Sequence, residues 1–368
     1  MKEILVRGDH PGGNIKNVVR DGNTFILEHD NRDSINGWFY WNFRVEAAEG
    51  QDLVFRFASG ELLGSFGPAV SRDARNWAFA GESSFIDHTA FRYSFGEDET
   101  CVYFCFALPY LLEDFEVFCR SNSSHPLLER GILANSEKGR PLPLLRLGNP
   151  AAKKHLVLTA RHHACESTGS YVLEGVLSHL LQKDKGSILN EYIFHIVPFI
   201  DIDGVEEGDQ GKNRAPHDHC DDYTDTPLYC ATKALMDYVR KLNIVVGIDF
   251  HSPWKWGGRN DHPFISNKGT PFNESEAKIL GAMLIEETAR RPDKDKFVYD
   301  PQHDVPVGFD WNQPHHPTSG KFFCSCGARI GFSFEMPYFG NGNPLASQHN
   351  LRTFGNDLGA ALERYLQH

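Results

Sequence analysis

The chain has 368 residues, 40% of them hydrophobic, and a formal net charge of -12; at that length two domains are the ordinary expectation and one large core the alternative. An acidic surface serves neither phosphate neutralisation nor attraction to anionic lipid, which excludes nucleic acid and membrane surfaces as partners. The amino terminus has no apolar run of signal length and no later segment approaches a membrane span, so a cytoplasmic chain with reduced cysteines is expected.

In residues 14–118, short aromatic and β-branched runs at 24–27, 38–45, 52–57, 90–95 and 101–106 are separated by Gly and Asp. This grammar predicts an antiparallel β-sandwich domain over residues 1–125. Residues 120–150 are rich in Ser, Asn, Pro and Gly, show neither the strand nor the helix period, and read as the junction to a second domain, 126–368. There the pattern becomes strand 155–160, helix 170–182, strand 192–200, helix 227–241, strand 243–250, helix 274–290, strand 328–336 and a closing helix 346–367. Such alternation predicts an α/β fold, a mainly parallel mixed sheet flanked by helices.

The run 156–160 is apolar without alternation, as in a parallel strand covered on both faces, and stops in Arg161-His162-His163-Ala164-Cys165-Glu166. The carboxyl ends of such strands are where α/β sheets place chemistry. His163 and Glu166 offer one imidazole nitrogen and one carboxylate oxygen to a single ion, half of a catalytic zinc site. Strand 243–250 runs directly into His251, so a parallel sheet brings a third ligand to the same edge. Three protein ligands leave the fourth position for water, whose pKa zinc lowers toward neutrality. Glu335, closing the apolar run 330–334, is the candidate to take that proton; an ion pair at a strand end is the alternative. Beyond the strand 192–200, residues 206–214 read as a long exposed loop. Arg214 is suited there to polarise a carbonyl, and Asp218 to accept the second ring proton of a ligating histidine. A solvated loop with idle charges is the alternative. His162, His217 and His219 read as packing or loop groups.

In these segments the chain resembles the zinc carboxypeptidases, specifically the cytosolic type with an amino-terminal β-sandwich. The likeness rests on Gly37-Trp38-Phe39-Tyr40 and Phe106-Ala107-Leu108-Pro109-Tyr110 in the first half. In the second half it rests on residues 160–166, on Asp203-Gly204-Val205-Glu206-Glu207-Gly208, on Asp249-Phe250-His251 and on Phe334-Glu335. The combination is specific; each motif alone is not. The resemblance implies one zinc ion held by His163, Glu166 and His251, with Glu335 as general base and then acid, Arg214 as carbonyl polariser and Asp218 orienting a ligand.

Two departures bear on substrate. Where family members continue Asp-x-Asn-Arg to grip a peptide's terminal carboxylate, this chain reads Asp218-His219-Cys220-Asp221, and Asp221 would repel a carboxylate that Arg would pair with bidentately. A competing register makes Asn213-Arg214 the gripping pair and leaves the polarising role unassigned. No tyrosine lies between 301 and 337, where the family commonly places one that closes over substrate; Trp311 or His315-His316 are candidates for that space, with a solvated loop as the alternative, and residues 254–259 are candidates to line a cleft. The expectation is a zinc-dependent hydrolase that cleaves a peptide or amide bond through a zinc-activated water, acting on a peptide or amino-acid conjugate. A zinc amidase or deacylase of small N-acyl compounds, and a catalytically silent metal-binding protein, are the rivals; the oligomeric state stays open.

Overall fold

The computed structural model describes residues 3–182 and 188–368. The first part of the chain forms ten short strands: β1 (Leu5–Arg7), β2 (Lys16–Asp21), β3 (Thr24–Glu28), β4 (Asn42–Glu46), β5 (Asp52–Phe57), β6 (Ala69–Ser71), β7 (Ala78–Phe79), β8 (Phe85–Asp87), β9 (Ala90–Ser94) and β10 (Cys101–Cys105). They make two five-stranded sheets, β1-β4-β10-β6-β7 and β2-β3-β5-β9-β8. The aromatic enrichment becomes the core: Phe43, Phe55, Phe91 and Phe104 are fully buried, with ring centroids of neighbouring pairs 5.1 to 5.5 Å apart. One pair departs from the antiparallel expectation. Strands β3 and β5 run parallel, because the chain crosses to the other sheet in β4 before it returns.

Helix α1 (Leu112–Ser121) ends where the segment read as a junction begins, and that segment holds a hairpin of β11 (Leu128–Asn135) and β12 (Pro141–Leu147) instead. The hairpin was invisible to pattern reading because β11 is a largely exposed edge strand, with no buried face to impose alternation. The chain continues through β13 (Lys154–Ala160), α2 (Ser167–Leu181), β14 (Tyr192–Val197), α3 (Ile202–Glu207), α4 (Cys230–Val239), β15 (Ile244–His251), β16 (Phe264–Asn267), α5 (Pro271–Arg290), α6 (Ser319–Ser325), β17 (Ile330–Glu335) and α7 (Gln348–Gln367).

The second sheet has seven strands in the order β11-β12-β14-β13-β15-β17-β16. Its centre, β14, β13, β15 and β17, is parallel, and the remaining strands pair antiparallel at the edges. Every residue of β14, β16 and β17 is buried, which explains why β14 and β17 are mostly apolar rather than alternating. Helices α2 and α7 approach closely through glycine: a Cβ on Gly175 would lie 2.1 Å from the Arg352 carbonyl oxygen. Register sets the functional edge. Ala160 lies opposite Phe250, and His251 opposite Glu335, so three adjacent parallel strands end at one level.

Candidate metal centre and active site

At the end of β13 the backbone turns sharply. Arg161 has φ +63°, a conformation uncommon for a long side chain, and its buried guanidinium holds it there by donating to the Ala164 carbonyl (3.0 Å) and the Tyr110 carbonyl (2.6 Å). Tyr110 belongs to the segment leaving the first part of the chain, and Ser167 at the start of α2 donates to the neighbouring Leu108 carbonyl at 2.6 Å. The turn presents His163 and places Glu166 as the N-cap of α2, where the helix dipole favours a carboxylate.

His163, Glu166 and His251 bring one donor atom each within 4.8 Å of one another. The Nδ1 atoms of His163 and His251 lie 2.8 and 2.7 Å from the two Glu166 carboxylate oxygens. Each outer ring nitrogen meets a second carboxylate: His251 Nε2 is 2.8 Å from Asp249, and His163 Nε2 is 3.5 Å from Asp218. This is the arrangement that fixes the tautomer of a ligating imidazole, leaving Nδ1 for a cation. Two imidazoles and a carboxylate, so supported, form a donor set that suits zinc.

Burial works against charge on both histidines, but Glu166 and Asp218 outweigh it at His163, and Asp249 and Glu166 at His251, raising both well above the usual imidazole range. Burial pushes Glu166 up, yet His163, Lys212 and His251 bring it well below the carboxylate range. Asp218 is lowered to about 2, burial being overcome chiefly by His163. Glu335 goes the other way: burial raises its carboxyl group, with His251 opposing and Glu166 adding to the rise.

A second group, His162, Asp249 and His251, also meets the spacing for a metal. It is closed, however: His162 is fully buried and both its nitrogens are engaged, Nδ1 with Asp249 at 2.9 Å and Nε2 with the Tyr223 hydroxyl at 2.7 Å. The first group opens onto a cavity with all three of its residues. That cavity, about 430 Å³, is lined by His163, Glu166 and His251, and also by Glu335, Asp218, Asn213 and Asp221. Trp254, Trp311 and His316 complete its wall, so part of the stretch compared with a solvated loop faces the site.

Arg214 is the residue the structure does not bring to this site. It is not among the cavity lining; its Nη atoms bind Asp201 at 2.7 Å and Asp209 at 3.1 Å, and its Nε meets Asp33. A guanidinium outside the cavity lining whose three nitrogens each face a carboxylate is not placed to meet a substrate carbonyl, and the register that makes Asn213-Arg214 a carboxylate grip has its arginine turned to the same acids. The loop itself is largely buried rather than exposed over residues 208–214, because the first part of the chain pins it. Gln210 accepts from the Phe39 and Tyr40 amides at 2.6 and 3.2 Å, Ser34 donates to the Lys212 carbonyl at 2.9 Å, and Ile35 donates to the Asn213 carbonyl at 3.0 Å.

Two cavity lysines escaped sequence reasoning. Lys212 donates to Glu166 at 2.6 Å and to the Ser252 carbonyl at 3.0 Å; burial lowers its ammonium, but Glu166, with Cys165 and Glu335 adding, outweighs it and the net shift is upward. Lys268 sits just past β16, buried. For Lys212 the available signal was its place two residues before Arg214 in the same loop; for Lys268 it was a charge directly after Phe264-Ile265-Ser266-Asn267.

The sequence model of the zinc carboxypeptidase family matches residues 120–298. Cytosolic carboxypeptidase 6 of Caenorhabditis elegans is 25% identical over 248 residues, covering 58% of this chain and 54% of that protein. Cytosolic carboxypeptidase 2 of Homo sapiens is 30% identical over 258 residues, covering 58% and 28%. The chain thus spans about half, or less, of the length of these curated relatives. A metallo-carboxypeptidase structure from Burkholderia cenocepacia covers 100% of this chain and 99% of its own, with TM-score 0.81 at 18% identity. The metallo-carboxypeptidase of Pseudomonas aeruginosa, solved in complex with (2-guanidinoethylmercapto)succinic acid, covers 99% of both chains with TM-score 0.79 at 18% identity. The fold extends over the whole of these proteins, first sheets included.

Proposed function

We propose, for a chain that carries a zinc carboxypeptidase domain, that His163, Glu166 and His251 hold one zinc ion and that the adjoining cavity hydrolyses the amide bond of a peptide or amino-acid conjugate. The observation that carries this reading is the meeting of three supported donors at the cavity floor, with Glu335 opposite His251 in the strand register. When bound, zinc supplies a Lewis acid that polarises the carbonyl and lowers the pKa of water. Glu335 takes a proton from the attacking water as its oxygen joins the carbonyl carbon, then returns that proton to the amine as the C–N bond breaks. Lys212 stands in for Arg214 as the cation facing the carbonyl oxygen, since it lines the cavity and lies against Glu166. Asp249 and Asp218 keep the two imidazoles oriented. The named relatives suit a cytoplasmic setting, and among the described residues no helix is long and apolar enough to cross a membrane.

The test compares purified wild type with Glu335→Gln. Metal analysis should find one zinc per chain in both, while kcat on a panel of short peptides and N-acyl amino acids falls by about 10³-fold in the variant. The preferred half of the panel separates a peptidase from a deacylase. Zinc uptake with equal silence of both proteins on every substrate would leave the binding-protein reading standing and reject this one.

A further inference from the structure

Among the cavity-lining groups, Lys268 has a buried charge that the reaction above does not use. Its side chain is 3% exposed, and its ammonium donates to Ser266 Oγ at 2.9 Å and Asn312 Oδ1 at 2.7 Å. Among the described residues no carboxylate pairs with it. An ammonium has three donors, and two neutral acceptors leave one N–H for something else, while Glu335 and Asp249 act on its charge only through space. A buried cation without a directly paired counter-charge is costly, and burial lowers this one to about 8.

The surroundings are built to keep it there. Asn312 is itself fixed by donating to the Asn267 and Val305 carbonyls at 2.7 and 3.1 Å. The Trp311 ring centroid lies 5.1 Å from Nζ. Space for the alkyl stem exists because residue 320 is glycine: a Cβ there would come within 2.7 Å of Lys268 Cγ. The strand register then gives direction. Ser266 lies opposite Ser333, two residues from Glu335 on the same face of β17, so the ammonium held by Ser266 stands about 7 Å along the strand from the Glu335 level. That matches the roughly 3.5 Å from an amine nitrogen to the carboxylate of its own residue plus a hydrogen bond of about 2.8 Å, measured from the group that protonates the leaving amine.

We propose that Lys268 is the carboxylate anchor of this cavity and binds an anionic group carried by the leaving amine. The proposal rests on the hydrolase reading for the direction in which substrate lies. It also accounts for Asp221, which lines the same cavity and repels an anion from its own part of the wall: the anion-binding duty sits just past β16 instead. The shared chemistry is a carboxylate, terminal or on a side chain.

Three matched substrates distinguish the two sources: N-benzoylglycyl-leucine (terminal carboxylate), N-benzoylglycyl-glutamic acid α-amide (side-chain carboxylate) and N-benzoylglycyl-leucinamide (neither). Wild type should favour one of the acids over the neutral amide in kcat/KM by about 10- to 100-fold, the worth of one charge-assisted hydrogen bond. Lys268→Met should lose that preference through KM, falling less than about 3-fold on the neutral amide. Equal wild-type rates on all three, or an equal fall on all three in the variant, overturns the proposal and assigns Lys268 to holding the Asn312 loop. Glutarate binding, measured by calorimetry, reads the anchor without turnover. Binding at least about 10-fold weaker in Lys268→Met supports the anchor even if no substrate is cleaved, and unchanged or absent binding sinks it even if catalysis is confirmed.

Discussion

Replacing Arg214 by Met separates two roles that make opposite predictions. If Arg214 polarises the substrate carbonyl, the variant folds normally and loses about 10²- to 10³-fold in kcat. The geometry argues for a strut. Asp33 is 42% exposed, and an exposed pair contributes at most about 1 kcal/mol. Asp209 keeps a second partner, Arg32 at 2.7 Å. The uncompensated charge therefore falls on Asp201, which is 3% exposed and retains only the Gly204 amide at 2.9 Å and the more distant His219. Removing one partner of a buried pair costs about 3–5 kcal/mol, and the lower end applies because only one of the three carboxylates is stranded. Urea unfolding should show a loss of about 3 kcal/mol, and adding Asp201→Asn to the variant should recover part of it. The pH dependence has a definite sign. Burial raises Asp201, but His219 and Arg214 outweigh it and depress it in the folded protein, so its stabilising contribution is present above the unfolded carboxylate pKa and is lost as pH falls through the folded value. In Arg214→Met the stranded acid protonates more readily, so the gap between the two proteins should narrow as pH drops below about 5. An Arg214→Met protein of wild-type stability with a kcat reduced 10²-fold would refute the strut.

The remaining expectations are simpler. Glu166→Gln removes the carboxylate that joins the three donors, so zinc retention on dialysis against a chelator should drop by at least about 10-fold, with little change in the far-ultraviolet circular dichroism of the refolded apoprotein. Because burial holds the Glu335 carboxyl above its ordinary range, the base form is lost on the acid side earlier than for a solvated glutamate. The acid limb of kcat/KM should then lie above about pH 4.5, a limb at or below that value contradicting the assignment. Gly175→Leu has no room at the contact of α2 with α7, and thermal unfolding should report a loss of about 3 kcal/mol or failure to fold, against less than about 0.5 kcal/mol for a surface change such as Lys233→Ala.

How far the sequence could be read depended on burial. The runs that became β13, β14, β15 and β17 are apolar because both faces are covered, and their ends carry His163, His251 and Glu335, so strand pattern and ligand chemistry pointed the same way. The hairpin β11-β12 gave no such pattern. Strand β16, four residues long, was too short to register, and with it went the meaning of Lys268, a lysine whose place depends on pairing with β17. The loop 208–214 failed for a different reason. Nothing in Gly211-Lys212-Asn213-Arg214 says which of two cations, two residues apart, faces the cavity; that choice involves residues 170 or more positions away besides the nearby Asp201 and Asp209.

Those distant residues give the amino-terminal sheets a function beyond their own core. Arg214 reaches Asp33, Ser34 and Ile35 hold the backbone of Lys212 and Asn213, and Gln210 is clamped by Phe39 and Tyr40. Phe39 also packs edge-on against Trp254 at 5.1 Å, the tryptophan that lines the cavity beyond His251. A loop that must hold a cation within reach of a buried carboxylate cannot be left to solvent, because water would screen the pair and let the side chain swing away. The same loop ties Arg214 to Asp33, Asp201 and Asp209, while Lys212 is the cation that meets Glu166. On this view, shortening the segment 31–39 should damage the site without touching a ligand, raising KM and loosening zinc together, whereas a sandwich that only stabilised itself would alter neither.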